Sequence, residues 1–286
     1  MRILVTGARG QLGTDLSDEL IGRGHEVIGV DVDDMDITDA DAVESFMGKT
    51  GPQAVIHCAA YTATDRAEDE PDVCRLVNSV GTCNIAEVCR RMNIKMLYIS
   101  TDYVFGGEGE EPFKVDDAAA PLSVYGRTKY EGELSVRELV EKHFIVRTSW
   151  VFGLHGNNFV KTMLRLAGLN PKISAVADQV GSPTYTKDLS VLLADMIVTE
   201  KYGTYHASNE GYCSWYDFAC EIFRQSEMTH VEVSPVASDF FTYKIKRPAN
   251  SRLDKSKLTE NGFSRLPSWQ DALSRFLTEL ASSEAK

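Results

Sequence analysis

The first two-thirds of the chain alternate short, β-rich apolar runs with amphipathic stretches, and this rhythm restricts the fold more than any other feature. Short apolar runs bounded by turn residues predict strands, and apolar residues at helical spacing predict helices. Predicted strands cover residues 2–6, 26–30, 54–58, 95–100 and 144–148, and predicted helices cover residues 12–23, 39–49, 71–92 and 123–142. Strands that alternate with helices predict a parallel sheet with helices on both faces.

The rhythm weakens after about residue 150, where irregular, proline-containing chain separates the remaining helical patterns. These patterns cover residues 158–169, 186–199, 215–224 and 269–281. A chain of 286 residues has room for one large domain or two modest ones. We therefore predict an α/β fold of the Rossmann type: a doubly wound parallel sheet in residues 1–150, to which later segments can return. A smaller carboxyl-terminal lobe would occupy residues 151–286.

The charge of the chain argues against two classes of partner. Its 30 Lys and Arg against 42 Asp and Glu give a net charge of −12, which disfavours nucleic acid and anionic membrane surfaces. No apolar run approaches the roughly 18 residues of a membrane span. The six cysteines form no Cys-x-x-Cys pair and no cluster of zinc spacing, which favours reduced thiols and a cytoplasmic location. Residues 244–257 hold six basic residues and one Asp, and this basic island indicates an anionic small-molecule ligand.

A glycine-rich turn follows the first predicted strand. Gly7, Gly10 and Gly13 permit a tight turn whose backbone N–H groups approach a pyrophosphate at a helix N-terminus. Asp31 ends the second predicted strand, where a carboxylate can bind an adenosine ribose and repel a 2′-phosphate. The pattern predicts a dinucleotide, NADH or NADPH, with NADH favoured. Two alternatives remain: Asp31 is only a solvated strand end, or the basic Arg9 tolerates the 2′-phosphate.

A tyrosine and a lysine lie one helical turn apart on the helix predicted after the fourth strand. Tyr125 and Lys129 have the i, i+4 spacing that stacks two side chains on one helix face. A lysine ammonium lowers the pKa of a neighbouring phenol, which prepares Tyr125 for proton exchange with a carbonyl or hydroxyl. Thr101 supplies a hydroxyl at the sheet edge where ligands bind. These three are the predicted catalytic residues, and the alternative is a packed tyrosine beside a solvated lysine.

The glycine spacing and the position of the Tyr-Lys pair resemble the extended short-chain dehydrogenase/reductases. Within that superfamily, Thr-Asp-Tyr-Val-Phe at residues 101–105 resembles the dTDP-4-dehydrorhamnose reductases. Similar segments run along nearly the whole chain, at residues 57–62, 147–150, 156–163, 178–184 and 247–253. The resemblance implies an enzyme that reduces the C4 keto group of dTDP-4-dehydro-L-rhamnose with NAD(P)H, the last step of dTDP-L-rhamnose biosynthesis. The smaller lobe would then bind the substrate.

The resemblance also implies site residues by position. Contacts with the cofactor are implied for Gly10, Gln11, Leu12, Asp31, Asp36, Ile37, Ala60, Tyr61, Thr62, Tyr125 and Lys129. Contacts with the deoxysugar are implied for Thr101, Asp102, Tyr125 and Trp150. Arg247 and Arg252 lie in the basic island and are candidates to bind the nucleotide diphosphate. The equal alternative for these two arginines is a solvated loop charge.

Some members of the family dimerise through a magnesium ion held by acidic side chains. Asp15 stands at the first of those positions, but Lys187 and Asp188 occupy the second region. We therefore predict no metal site, and we leave monomer and homodimer open. Two other functions also remain open: another nucleotide-sugar reductase or epimerase of the same fold, and a non-catalytic regulatory subunit similar to that of methionine adenosyltransferase.

Overall fold

The computed structural model describes residues 1–242 and 244–284. Its strands, in chain order, are β1 (Arg2–Thr6), β2 (Glu26–Val30), β3 (Ala54–His57), β4 (Lys95–Thr101), β5 (His143–Thr148), β6 (Val151–Phe152), β7 (Lys172–Val176), β8 (Val180–Gly181), β9 (Thr184–Tyr185), β10 (Gly203–His206), β11 (Cys213–Ser214) and β12 (Glu232–Val236). Its α-helices are α1 (Gln11–Gly22), α2 (Ala40–Thr50), α3 (Thr64–Ala67), α4 (Pro71–Arg75), α5 (Thr82–Met92), α6 (Val124–Leu139), α7 (Phe159–Ala167), α8 (Thr186–Ile197), α9 (Trp215–Gln225), α10 (Ser256–Glu260) and α11 (Trp269–Glu284). A π-helical segment covers Leu76–Gly81, and 3₁₀ turns cover Asp102–Val104 and Ser238–Phe240.

Six strands form one parallel sheet in the order β2-β1-β3-β4-β5-β10. The chain runs from β1 outward to β2 and then returns to form β3 on the other side of β1. This reversal makes the carboxyl edge between β1 and β3 the switch point, where open α/β sheets bind their ligands. The predicted doubly wound, Rossmann-type α/β fold is confirmed.

Helices cover both faces of this sheet, as the alternating sequence pattern predicts. On one face, Leu16 of α1 and Leu193 of α8 share a fully buried cluster with Val5 of β1. On the other face, Val43 of α2 and Ile85 of α5 belong to a second buried cluster. Each fully buried side chain of this size contributes roughly 1.5–3 kcal/mol. The two clusters therefore fix the sheet from both sides.

The sixth strand, β10, has no counterpart among the predicted strands. Its sequence, Gly-Thr-Tyr-His, has too few apolar residues to indicate a buried strand, and parallel pairing with β5 places it in the sheet. Helix α8, which precedes it, packs against α1. Residues 186–206 therefore return to the first sheet. The division into residues 1–150 and residues 151–286 stays a prediction.

The predicted helix 71–92 contains a π-helical turn. Helix α4, the π segment and α5 follow one another without a break. Within the π segment, Asn78 is fully buried, and its carbonyl oxygen accepts a hydrogen bond of 2.8 Å from the Thr82 hydroxyl. Amphipathic spacing does not reveal the wider turn, which is a short insertion in an otherwise regular helix. Such turns frequently lie at functional sites.

The remaining elements form a smaller lobe with its own apolar core. In this lobe β6 pairs with β9, β8 with β11 and β7 with β12. Phe152 of β6, Phe218 of α9 and Phe276 of α11 meet in its centre, with the Phe152 ring centroid 5.8 Å from that of Phe218 and 5.4 Å from that of Phe276. Aromatic side chains in mutual contact thus form the centre of this lobe's core.

A buried carboxylate joins helix α6 to the sheet. Glu133 is fully buried, and its Oε1 accepts hydrogen bonds from Ser100 Oγ of β4 at 2.6 Å and from Arg147 Nε of β5 at 2.8 Å. Its Oε2 accepts from Arg147 Nη2 at 2.7 Å and from Arg137 Nη2 at 2.8 Å. A buried ion pair is tolerated when hydrogen bonds satisfy both partners in this way. Helix α6 is therefore positioned by charge-assisted bonds to two neighbouring strands.

We predict that Glu133→Gln destabilises the protein by about 3–5 kcal/mol, because the buried Arg147 guanidinium loses its counter-charge. Chemical denaturation at neutral pH measures this difference in the free energy of unfolding. The matched control is Glu131→Gln on the same helix, since Glu131 forms a surface ion pair of 3.0 Å with Arg75. That variant should lose less than about 1 kcal/mol. Equal losses in the two variants would contradict the anchoring role of Glu133.

Candidate active site

A cavity of about 740 Å³ opens at the carboxyl edge of the sheet and extends across the switch point. Most of the residues that the sequence predicts for the site line it. They are Gly7, Gly10, Gln11, Leu12, Gly13, Asp31, Asp36, Ile37, Ala60, Thr62, Thr101, Asp102, Tyr125, Lys129 and Trp150. Tyr61, Arg247 and Arg252 are not among its lining residues.

The turn between β1 and α1 has room only for glycine at its critical positions. Gly7 has a φ of +65°, and a Cβ atom there would lie 2.8 Å from the Ala59 nitrogen. A Cβ atom on Gly13 would lie 2.0 Å from the Gly7 carbonyl oxygen. Gly10 is the N-cap residue of α1, and no side chain caps this end of the helix. The first-turn N–H groups and the positive end of the helix dipole are therefore suited to a pyrophosphate, so these residues fit a dinucleotide.

Acidic side chains dominate the end of the cavity beside β2. Asp31 Oδ2 accepts a hydrogen bond of 3.2 Å from the backbone nitrogen of Arg9, whose Nε lies 3.8 Å from the same oxygen. The Arg9 guanidinium also lies 3.1 Å from Asp33 and 3.6 Å from Asp34. Three carboxylates thus surround one guanidinium at the place where an adenosine ribose would bind. This end of the cavity therefore carries a local excess of negative charge.

The chain that follows β3 is held by Asn78, a residue that sequence reasoning missed. Its Oδ1 accepts a hydrogen bond of 2.8 Å from the Tyr61 backbone nitrogen. Its Nδ2 donates to the Tyr61 carbonyl oxygen at 3.1 Å and to Thr128 Oγ1 at 3.2 Å. The Tyr61 side chain points elsewhere, because its hydroxyl donates a 2.8 Å hydrogen bond to Glu70. The structure therefore does not bring the Tyr61 ring into the cavity. Asn78 lies in the π-helical turn, and such turns frequently mark functional sites.

The three predicted catalytic residues lie on adjoining elements. Thr101 ends β4, where its Oγ1 accepts a hydrogen bond from the Tyr103 nitrogen at 3.2 Å. Tyr125 and Lys129 lie one turn apart at the start of α6. This helix approaches the chain after β4 so closely that a Cβ atom on Gly126 would lie 2.2 Å from the Tyr103 carbonyl oxygen. Gly126 therefore permits the contact that brings Tyr125 beside Thr101.

Burial controls the protonation of Tyr125. It raises the pKa of the phenol well above its usual value, a hydrogen bond with Thr101 partly opposes this increase, and the Asp102 carboxylate adds to it. The expected lowering of the Tyr125 pKa by Lys129 is therefore not observed. The lysine ammonium instead lies 4.1 Å from the centroid of the Tyr98 ring. Tyr125 thus keeps its proton at neutral pH, as a proton donor requires.

Burial also moves the pKa of Lys129 and Asp102 towards neutrality. It lowers the pKa of Lys129 to about 7, against the opposing effect of the Glu133 carboxylate. It raises the pKa of Asp102 to about 6, against hydrogen bonds from Ser251 and Thr101. Groups with a pKa near the working pH exchange protons most effectively. The cavity therefore combines a protonated phenol with two groups that titrate close to neutral pH.

The two arginines of the basic island bind to protein groups. Arg247 Nη2 donates a 2.7 Å hydrogen bond to Asp65 Oδ2. Arg252 Nη1 donates to the Glu110 carbonyl oxygen at 3.0 Å and to Asn250 Oδ1 at 3.1 Å. The structure therefore does not bring either guanidinium to the cavity. Sequence reasoning could not anticipate these contacts, because they depend on how distant loops pack.

The acidic position on the first helix is engaged within the chain. Asp15 is buried and accepts a hydrogen bond from Thr186 Oγ1, while Lys187 Nζ lies 2.5 Å from Glu279 Oε1. Within residues 1–242 and 244–284, no group of three His, Cys, Asp or Glu side chains is arranged to hold a metal ion. None of the helices in this described part of the chain is long and apolar enough to cross a membrane.

Comparison with known proteins gives full-length matches. The RmlD substrate binding domain family matches residues 1–282. The dTDP-4-dehydrorhamnose reductase of Aggregatibacter actinomycetemcomitans is 43% identical over 285 residues, covering 95% of this chain and 97% of that protein. The dTDP-4-keto-6-deoxy-D-glucose reductase of Streptomyces niveus is 35% identical over 285 residues, covering 99% of both.

A solved structure is equally similar. The dTDP-4-dehydrorhamnose reductase of Bacillus anthracis str. Ames, in complex with NADP, is 45% identical with a TM-score of 0.95. The match covers 97% of this chain and 99% of that one. The resemblance carried by the sequence motifs is confirmed, and the chain belongs to the RmlD substrate binding domain family.

Proposed function

We propose that this chain reduces dTDP-4-dehydro-L-rhamnose to dTDP-L-rhamnose with NAD(P)H, the last step of dTDP-L-rhamnose biosynthesis. The observation that carries the proposal is one cavity lined by the glycine turn at one end and by Thr101, Tyr125 and Lys129 at the other. Full-length relatives named dTDP-4-dehydrorhamnose reductase support the choice of substrate. A cytoplasmic location and a monomeric or homodimeric state stay predictions.

In the proposed mechanism, the chain positions the keto sugar and supplies the proton. NAD(P)H, when bound, supplies the hydride for the C4 carbon. The Tyr125 hydroxyl donates its proton to the C4 oxygen as negative charge develops there. The Thr101 hydroxyl provides a second hydrogen bond to the same oxygen. Lys129, which lines the same cavity one helical turn after Tyr125, would contact the nicotinamide ribose and orient the dinucleotide.

The assay that tests the proposal follows loss of reduced nicotinamide absorbance with three candidate substrates. These are dTDP-4-dehydro-L-rhamnose, its UDP counterpart and dTDP-4-keto-6-deoxy-D-glucose. Oxidation of NADH or NADPH that is fastest with the first compound supports the proposal. Preference for the third would favour the second candidate, the reaction named for the Streptomyces niveus relative. No oxidation with any of them would contradict both.

Tyr125→Phe should reduce turnover by about 10²-fold or more while dinucleotide binding stays nearly unchanged, because only the donated proton is lost. Steady-state kinetics and a dinucleotide titration measure the two effects. The matched control is Tyr130→Phe on the same helix, since Tyr130 does not line the cavity. Near-normal turnover in Tyr125→Phe would contradict the assigned proton donor.

We further propose that Asp31 makes NADH the preferred cofactor. In Asp31→Asn, the kcat/KM for NADH divided by the kcat/KM for NADPH should fall about tenfold. A tenfold change corresponds to roughly 1.4 kcal/mol, which here is the loss of ribose binding and of repulsion against the 2′-phosphate. The control is Asp33→Asn, which removes a nearby charge that does not line the cavity. An equal change in the two variants would show that general charge, and not contact at Asp31, sets the preference.

The buried Asp102 carboxyl should impose a pH dependence on stability. In the unfolded chain this carboxyl has the usual pKa of about 3.9. In the folded chain its pKa is about 6. The proton therefore stabilises the fold below about pH 4, and that stabilisation is lost as the pH rises through about 6.

Asp102→Asn cannot titrate, so its stability relative to the unsubstituted chain should rise by on the order of 3 kcal/mol between about pH 4 and pH 7. Denaturant unfolding of both proteins across this range measures the difference, and groups common to both cancel. A difference that does not vary with pH would contradict the raised pKa of Asp102.

A further inference from the structure

The residue that follows β5, Trp150, has an unusual backbone conformation. Its φ is +49°, in the left-handed region that bulky side chains rarely adopt. Its side chain is only partly buried and lines the same cavity as Thr101 and Tyr125. A strained residue at the wall of a cavity persists only when neighbouring groups hold it in place.

Two neighbours determine where the Trp150 indole lies. Its ring stacks on the ring of Trp215 with centroids 3.6 Å apart and planes 10° apart. It also lies against Gly181, where an added Cβ atom would be 2.8 Å from Trp150 Cε2. The Trp150 carbonyl oxygen accepts a 3.1 Å hydrogen bond from the Thr184 nitrogen, which holds the backbone. Neither Trp215 nor Gly181 lines the cavity.

Trp215 is itself held firmly. It is the first residue of α9, and the preceding Ser214 forms a capping box with Asp217 that fixes this end of the helix. The Phe159 ring packs on Trp215 with centroids 4.5 Å apart. The position of Trp215 therefore comes from the core of the smaller lobe and not from the cavity.

We propose that Trp215 is a positioning residue that, together with Gly181, holds the Trp150 indole as the wall for the hexose ring of a nucleotide sugar. An indole offers a flat apolar surface with one N–H donor, which suits a deoxyhexose that carries both a methyl group and hydroxyls. This inference rests on the proposed function, because it takes the keto sugar as the ligand at this wall. Trp215, which does not line the cavity, would then contribute to the affinity for the sugar.

The test compares Trp215→Ala and Trp215→Phe with the control Trp269→Phe, which changes a buried tryptophan outside the stacked pair. Trp215→Ala should raise KM for the keto sugar nucleotide by about tenfold, with kcat and the KM for the dinucleotide changing less than about twofold. Trp215→Phe keeps an aromatic partner for Trp150 and should recover most of that affinity. Trp269→Phe should leave all three constants unchanged.

Circular dichroism provides a readout that does not depend on activity. Two closely stacked indoles give an exciton couplet, a pair of bands of opposite sign. This couplet should disappear in Trp215→Phe and Trp150→Phe but persist in Trp269→Phe. If Trp215→Ala does not fold, Gly181→Ala provides the second variant, because its Cβ atom displaces the indole without removing a ring. It should likewise raise KM for the keto sugar nucleotide.

A folded Trp215→Ala or Gly181→Ala with unchanged KM would overturn the proposal. An exciton couplet that survives in Trp215→Phe would also overturn it. Absence of reductase activity in the unsubstituted protein would contradict the proposed function instead. In that case, loss of affinity for dTDP-L-rhamnose in Trp215→Ala, measured by calorimetry, would support the positioning role, and unchanged affinity would overturn it.

Discussion

The Glu133 carboxylate, held by four hydrogen bonds, is the interaction on which the candidate active site depends. Its donors come from Ser100 on β4, from Arg147 on β5 and from Arg137 on α6 itself. Because Ser100 precedes Thr101 and Glu133 lies one turn after Lys129, this single group fixes both halves of the catalytic arrangement. A surface ion pair could not do so, since solvent would weaken it to less than about 1 kcal/mol.

Burial is the common cause of the unusual chemistry in the cavity. It raises the pKa of Tyr125, lowers that of Lys129 to about 7 and raises that of Asp102 to about 6. Each change favours the uncharged form of the group, as expected where water is excluded. Tyr125 and Lys129 lie on helix α6, which packs closely on the chain after β4 because Gly126 leaves room for the Tyr103 carbonyl oxygen. The same contacts that specify the fold therefore set the protonation of the candidate catalytic groups.

Local pattern was sufficient to predict the parts of the fold that depend on nearby residues. Strands β1 and β2 match their predicted bounds, and the spacing of Tyr125 and Lys129 located the candidate catalytic helix. Strand β10 could not be predicted, because its burial comes from pairing with a segment about 60 residues away. The partners of Arg247 and Arg252, and the role of Asn78, likewise depend on contacts between distant segments.

We propose that Tyr125 and Thr101 hold the C4 oxygen of a keto sugar, and that a bound dinucleotide would supply hydride to the C4 carbon. The most direct measurement is nuclear magnetic resonance of the product formed from dTDP-4-dehydro-L-rhamnose and dinucleotide deuterated at the nicotinamide C4. We expect dTDP-L-rhamnose with deuterium on C4 of the sugar and one dinucleotide oxidised for each sugar reduced. Deuterium at another carbon, or an altered sugar formed without net oxidation of the dinucleotide, would contradict it.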